Sequence, residues 1–301
     1  MRSFCTLLAF SLLATSGVLG QKVVLTNDDG WAAAQIPAEY AALKAAGFDV
    51  ILSAPAVDKS GTGSSTATPN CLDFGLRVFN SCPVGSPAIG SNATDSRLNY
   101  ANAFPVDAVR FGIQTLAPKF FGTKPDFVIS GSNIGNNLGS GITGSGTVGA
   151  ASEAAKEGIP SIAFSGASGS QVSYTTLSQT TASSTVSANI YTSLIIKFVN
   201  ALLDNTGAIL PAGISLNVNF ASTSSCTSAS SYKFVLTRLT SSNSATDVTT
   251  CGTNHLPAES TVIKTGCIAT VSVFNATTKA DVGAATQQVV LNKLSSILSC
   301  S

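Results

Sequence analysis

Short apolar runs alternate with longer segments of helical spacing through the first half of the chain. Val23-Val24-Leu25-Thr26 is an aliphatic, β-branched run that reads as a buried strand. Ile36 to Gly47 reads as a helix, with Pro37 in its first turn and Gly47 as its stop. Phe48 to Ser53 is a second strand, and Val106, Val109, Ile113 and Leu116 mark a helix that Gly112 weakens. Pro125 to Ser130 is a third strand. A helix then starts at Thr147, with Val148, Ala151, Ala154 and Ala155 on its course and Gly158 at its end, before a strand from Pro160 to Ser165. This βαβ alternation predicts an α/β fold on a parallel sheet. Residues 67 to 103 read as irregular, and Gly166 to Ser187 as a loop.

The last third changes character. Asn189 to Leu203 is an amphipathic helix, strands are expected at Ile214–Phe220, Tyr232–Leu239 and Ile268–Phe274, and Gln287 to Leu298 closes the chain as a helix. The division expected is a leader over 1–20, an α/β core over 21–220 and a β-rich extension over 221–301.

The first strand delivers Asn27-Asp28-Asp29-Gly30. In an open α/β sheet, ligands bind at the carboxyl ends of the strands, so Asp28 and Asp29 stand where chemistry is done. Two hard oxygen donors side by side suit Mg²⁺ or Mn²⁺, although the same residues also serve as a turn or helix cap. The loop after the second strand, 54–66, is rich in Gly, Ser and Thr. It offers Ser60 as a further oxygen donor or is a plain connector. Gly144-Ser145-Gly146-Thr147 opens a helix, where free N–H groups favour an anion or the Ser simply caps. Two overlapping GxGxxG matches, at Gly139/Gly141/Gly144 and Gly144/Gly146/Gly149, lie too far beyond their strand for a dinucleotide fingerprint, so NAD binding is rejected.

Composition narrows the partners. The formal net charge is +1 over 301 residues and no Lys/Arg cluster occurs, which excludes a long nucleic acid. Met1-Arg2 followed by a short apolar stretch to Gly20 reads as a secretory signal peptide, and no later stretch is read as spanning a membrane. Cys5 leaves with that leader. Cys71, Cys82, Cys226, Cys251, Cys267 and Cys300 remain, an even set that favours disulfides in an exported protein, and Cys71–Cys82 is the pair expected from proximity. Asn92-Ala93-Thr94 and Asn275-Ala276-Thr277 are glycosylation sequons, consistent with export.

Taken together, the motifs resemble the survival protein SurE family. Leu25-Thr26-Asn27-Asp28-Asp29-Gly30, the Ser60-Gly61 loop, Ser130 to Gly139, Ser145-Gly146-Thr147-Val148-Gly149-Ala150-Ala151 and Glu157 to Ser165 carry the resemblance in order and spacing. Weaker similarity continues at Leu216-Asn217-Val218-Asn219 and from Val271 to Leu298. It implies a Rossmann-like parallel core with helices on both faces and a β-rich C-terminal extension used in oligomerisation, with a homodimer as the expected assembly. It also implies a metal-dependent phosphomonoesterase acting on nucleoside 5′- and 3′-monophosphates through a metal-activated water. The cation would be held by Asp28, Asp29, Ser60 and Asn133. Asn137 and the Ser145-Gly146-Thr147 turn would hold the phosphate, and Asp28, Asp29, Asn137 and Ser145 would carry catalysis. A covalent aspartyl-phosphate at Asp28 is the alternative route.

Two features depart from that family. Gly144 stands where an aromatic commonly precedes the Ser-Gly-Thr, which removes a base-stacking partner. The leader, cysteines and sequons resemble exported fungal acid phosphatase-type relatives, implying broad substrate range. His255, the single histidine, belongs to no motif and reads as a surface residue, which argues against histidine-nucleophile and Ser-His-Asp mechanisms. The rival class is a secreted binding or surface protein that keeps the fold without turnover.

Overall fold

A single mixed sheet organises the protein, in the order β3-β4-β2-β1-β5-β6-β7-β9-β8. The computed structural model describes residues 20–71, 79, 81–83, 85–204 and 207–301. Nearly all of the expected leader, residues 1–19, lies outside them. In chain order the elements are β1 (Lys22–Thr26), α1 (Gln35–Ala45), β2 (Asp49–Pro55), β3 (Ile89–Ser91), β4 (Leu98–Ala101), α2 (Pro105–Phe111) and α3 (Ala117–Phe121). They continue with β5 (Phe127–Ile134), α4 (Gly146–Lys156), β6 (Ser161–Gly166), α5 (Ser183–Leu203), β7 (Ile214–Phe220), β8 (Lys233–Thr237), α6 (Glu259–Val262), β9 (Ile268–Asn275) and α7 (Ala284–Leu294).

The period of two along each strand sorts side chains between two helical layers. Val23 and Leu25 of β1 face a core with Ile36, Tyr40 and Leu43 of α1 and Leu194 and Phe198 of α5. Val24 faces the other layer, with Val109 of α2 and Ala150 and Ala154 of α4. Phe127 and Val128 of β5 divide the same way. Small alanines on α4 let that helix lie close to the sheet.

β1 pairs in parallel with β2 on one side and β5 on the other, while β5, β6 and β7 continue in parallel. The strand order therefore reverses between β1 and β5, and a crevice opens there at the carboxyl ends. β9 runs antiparallel to β7, and β8 returns parallel to β9, so residues beyond 220 extend the same sheet.

Five expectations change. The stretch read as irregular contains β3 and β4, antiparallel to each other, with β4 parallel to β2. Their few residues lack the apolar run that marks the central strands. The helix expected at Val106–Leu116 is broken into α2, a π-helical turn at Gly112–Leu116, and α3, with Pro118 in α3's first turn. α5 begins at Ser183, inside the segment read as loop, because its first residues are Ser and Thr.

α5 also meets the length and apolarity of a membrane span, contrary to the sequence reading. Its buried face makes it a core helix. Phe198 lies 5.7 Å from Phe164 and 5.5 Å from Phe234, ring to ring, and Tyr191 stacks 5.2 Å from Phe220. Each such side chain contributes about 1.5–3 kcal/mol on burial.

The disulfides join Cys226 to Cys267 and Cys251 to Cys300. The expected Cys71–Cys82 bridge is not formed. Cys82 is buried in the core beside Trp31 and Tyr100, whereas Cys71 lies exposed on the surface. Sequence proximity does not bring a buried thiol to an exposed one.

Candidate active site

The acidic pair sits at the crevice, in the turn from β1 to α1. Asp28 and Asp29 are each only 2% exposed. Asp28 is held by the start of α4: the Thr147 N–H donates to Oδ2 at 3.0 Å and the Thr147 hydroxyl to Oδ1 at 2.8 Å. The positive end of that helix faces the carboxylate. Gly146, one residue earlier, has no room for a side chain, since a Cβ there would lie 2.9 Å from Asp28 Cβ and 3.0 Å from its Oδ2. Asp29 accepts from the Ile134 N–H at 3.1 Å and from Gln171 Nε2 at 3.0 Å.

Burial raises both carboxyl groups above the ordinary range. For Asp28, desolvation dominates against the two Thr147 hydrogen bonds. For Asp29, desolvation and then the neighbouring Asp28 charge push the group up to about 7. Two adjacent buried carboxylates repel when both are ionised, and a bound cation relieves that repulsion.

Asn133 completes the picture. β5 shifts register against β6 between Ser130 and Asn133, across the cis peptide Gly131-Ser132. Gly131 has φ 111°, and a Cβ there would stand 2.1 Å from the Phe164 carbonyl oxygen, so glycine is required. After this bulge Asn133 Nδ2 donates to the Gly135 carbonyl at 2.7 Å, while its Oδ1 is buried without a hydrogen-bond partner among the described residues. A buried carbonyl oxygen without a donor, on the segment that also hydrogen-bonds Asp29, fits a hard cation.

The remaining candidates occupy the same end of the sheet in distinct roles. Ser60 is exposed and its hydroxyl donates to Asp58 Oδ1 at 2.7 Å rather than to Asp28 or Asp29. Its loop is nonetheless anchored there, with the Lys59 N–H donating to the Asp28 carbonyl at 2.7 Å. Ser145 caps α4, accepting from the Val148 N–H at 3.1 Å. Asn137 Nδ2 donates to Ser165 Oγ at 2.8 Å. His255 lies exposed against the Ala245 carbonyl, in the last third of the chain.

Several residues to which sequence reasoning gave no role support the site. Asp58 adds negative charge that raises both Asp28 and Asp29. Gln171, in the loop after β6, fixes Asp29. The Asn137 backbone is gripped on both sides: its N–H donates to Asn219 Oδ1 at 2.8 Å, and its carbonyl accepts from Asn217 Nδ2 at 2.8 Å and Asn219 Nδ2 at 3.0 Å. Asn217 in turn meets Glu259, whose carboxyl also accepts from the Gly139 N–H at 2.7 Å and the Ser272 hydroxyl at 2.7 Å. The alternation Leu216-Asn217-Val218-Asn219 puts both asparagines on one face of β7, a signal available in sequence. Glu259 carries no such signal.

Residues 23–247 match the survival protein SurE family. The chain belongs to that family. An acid phosphatase of Yarrowia lipolytica is 38% identical over 203 residues, covering 65% of this chain and 56% of its own. A 5′-nucleotidase SurE of Desulfovibrio desulfuricans is 42% identical over 143 residues, 48% of this chain and 49% of its own. The chain thus spans about half the length of these curated SurE relatives. The crystal structure of the SurE protein from Aquifex aeolicus superposes with a TM-score of 0.57 at 24% identity, over 84% of this chain and 93% of that one, which establishes the SurE fold.

Proposed function

We propose that this SurE-family chain is an exported, divalent-cation-dependent phosphomonoesterase acting on nucleoside 5′- and 3′-monophosphates and other phosphate monoesters. The observation that carries the reading is the pair of adjacent, 2%-exposed carboxylates facing a segment whose Asn133 Oδ1 is orphaned. Relatives named as an acid phosphatase and as 5′-nucleotidases support the reaction class.

Asp28, Asp29 and Asn133 would hold the cation, Mg²⁺ or Mn²⁺, and Ser60 would join them by turning from Asp58. A cation there supplies Lewis acidity to the phosphoryl group and to attacking water. Thr147 keeps Asp28 in place with two hydrogen bonds, and the positive end of α4 would favour a phosphoryl group beside it. Asn137, its backbone clamped by Asn217 and Asn219, presents its carboxamide beside Ser165 at a fixed height above the sheet. Asp29, pushed up to about 7 without a cation, would give up its proton as the cation binds, which makes cation affinity pH-dependent. The leaving alkoxide takes its proton from solvent, as His255 is in a separate loop.

The test is phosphate release from AMP and p-nitrophenyl phosphate by protein stripped with EDTA, with and without Mg²⁺ or Mn²⁺. Activity restored by metal, and lost in Asp28→Asn with the fold intact, is the expected result. A folded, metal-loaded protein silent on both substrates would favour the non-catalytic binding reading.

A further inference from the structure

The sequon at Asn92 stands on the wall of a cavity that nothing in the phosphatase reading uses. The cavity measures about 230 Å³ and is walled by Trp31, Pro37, Leu98, Tyr174, Ser81 and Asn92 among others. Trp31 follows the acidic turn directly. One side of its indole meets Tyr100, ring centroids 5.0 Å apart, and its Nε1 donates to Ser81 Oγ at 3.1 Å. Tyr174 is 46% exposed, an unusual state for so large a ring, and its backbone N–H is pinned to the Ala32 carbonyl at 3.0 Å. Two aromatic rings and a pyrrolidine, with a hydroxyl and a carboxamide between them, make an amphipathic slot. Such walls suit the face of a sugar ring, which presents C–H groups to aromatic surfaces and hydroxyls to polar ones.

The local geometry of Asn92 suits it to carry a sugar. Its Oδ1 accepts three hydrogen bonds, from the Thr94 N–H at 2.8 Å, the Thr94 hydroxyl at 2.7 Å and the Asp95 N–H at 3.1 Å. The carboxamide oxygen is thereby turned into its own turn and Nδ2 out of it, with no protein acceptor for Nδ2 among the described residues. The second sequon differs. Asn275 ends β9, its Oδ1 takes only the backbone N–H groups of Thr277 and Thr278, and Ala276 is fully buried.

We propose that Asn92 carries an N-linked glycan whose first N-acetylglucosamine packs into the Trp31–Tyr174 cavity. The inference rests on export, because glycan transfer takes place in the secretory pathway. Transfer joins Asn92 Nδ2 to C1 of the sugar as the C1–O bond to a lipid-linked diphosphate donor breaks. The diphosphate leaves with that electron pair and Nδ2 gives up one proton. The attached sugar covers the exposed ring of Tyr174 and closes the cavity over Trp31, which is 8% exposed, next to the turn that bears Asp28 and Asp29.

Trp31 is the single tryptophan of the chain, so intrinsic fluorescence reports on this cavity alone. The full chain, with Asn275→Gln to remove the other sequon, is expressed in a eukaryotic secretory host and recovered from the medium. Peptide mass spectrometry reads occupancy of Asn92. Acrylamide quenching of Trp31 is then compared in three forms: intact glycan, glycan trimmed by an endoglycosidase to one sugar, and Asn92→Gln. Thr94→Ala is a second unglycosylated form should Asn92→Gln fold poorly. The expected result is equal, low quenching in the first two forms and a raised quenching constant in the unglycosylated one. Equal quenching in all three, or a rise already on trimming to one sugar, overturns the seat in the cavity. Secreted protein with a bare Asn92 overturns the proposal and leaves export standing, whereas protein retained in the cell with its leader uncut overturns both.

Discussion

Glu259 is the residue whose replacement most directly tests the link between the last third of the chain and the Asn137 loop. It is fully buried, on α6, with its carboxyl between Asn217, Ser272 and the Gly139 N–H. Burial is the leading cause that raises this group from 4.5 to about 7, opposed by those three hydrogen bonds and aided by the Asp281 charge. The folded protein therefore keeps the proton where the unfolded chain releases it. Stability from this group is complete below pH 4.5 and is lost as pH rises through about 7. At about 1.4 kcal/mol per pH unit, the loss across that window is about 3 kcal/mol. Glu259→Gln cannot ionise and loses none of it. Urea unfolding in EDTA at a series of pH values, for wild type and Glu259→Gln, reads the difference directly, because Asp28 and Asp29 titrate equally in both. The wild-type curve is expected to fall below that of the variant by about 3 kcal/mol between pH 4.5 and 7. Parallel curves would refute the argument. A kinetic expectation belongs to Glu259→Ala, which takes the acceptor away from the Gly139 N–H and Asn217 and loosens the loop that sets Asn137, so kcat/KM falls while cation affinity at Asp28 and Asp29 holds.

Other expectations follow from single contacts. Gly146→Ala drives a methyl into Asp28 and Pro105, displacing the carboxylate, and kcat/KM is expected to drop about tenfold or more with secondary structure intact by circular dichroism. Unchanged kinetics there would mean that Asp28 does not need its present position. Cys226→Ser with Cys267→Ser opens a loop closed over 41 residues and should cost about 3–4 kcal/mol in urea titration, leaving activity at low temperature largely unchanged. Denatured but unreduced exported protein should titrate two thiols, Cys71 and Cys82. Finding none would restore the bridge expected from sequence.

Much of the frame was legible in the chain because burial writes itself into local pattern. Val23-Val24-Leu25 and Phe127-Val128-Ile129 are buried on both faces of the sheet, so they read as continuous apolar runs. Asp28-Asp29-Gly30 at the end of the first run, and Ser145-Gly146-Thr147 at the head of a helix, announced their positions by the elements that adjoin them. β3 and β4 were missed because short strands near a sheet edge need no apolar run. The start of α5 was missed because Ser and Thr carry little helical signal until tertiary packing covers them. Pairing of the thiols was misjudged because chain proximity says nothing of depth.

Sequence by itself determined the family, the order of the strands' delivery and the identity of the acidic pair, since each is carried by residues within a few positions of one another. Tertiary structure alone decided that Thr147 holds Asp28, that Gln171 holds Asp29, that Glu259 reaches the Asn137 loop from 120 residues beyond Gly139, and that Asn92 shares a cavity with Trp31 and Tyr174. The reason is physical: a hydrogen bond or a cavity wall depends on distance in space, and residues far apart in the chain come within ångströms only after the sheet is assembled.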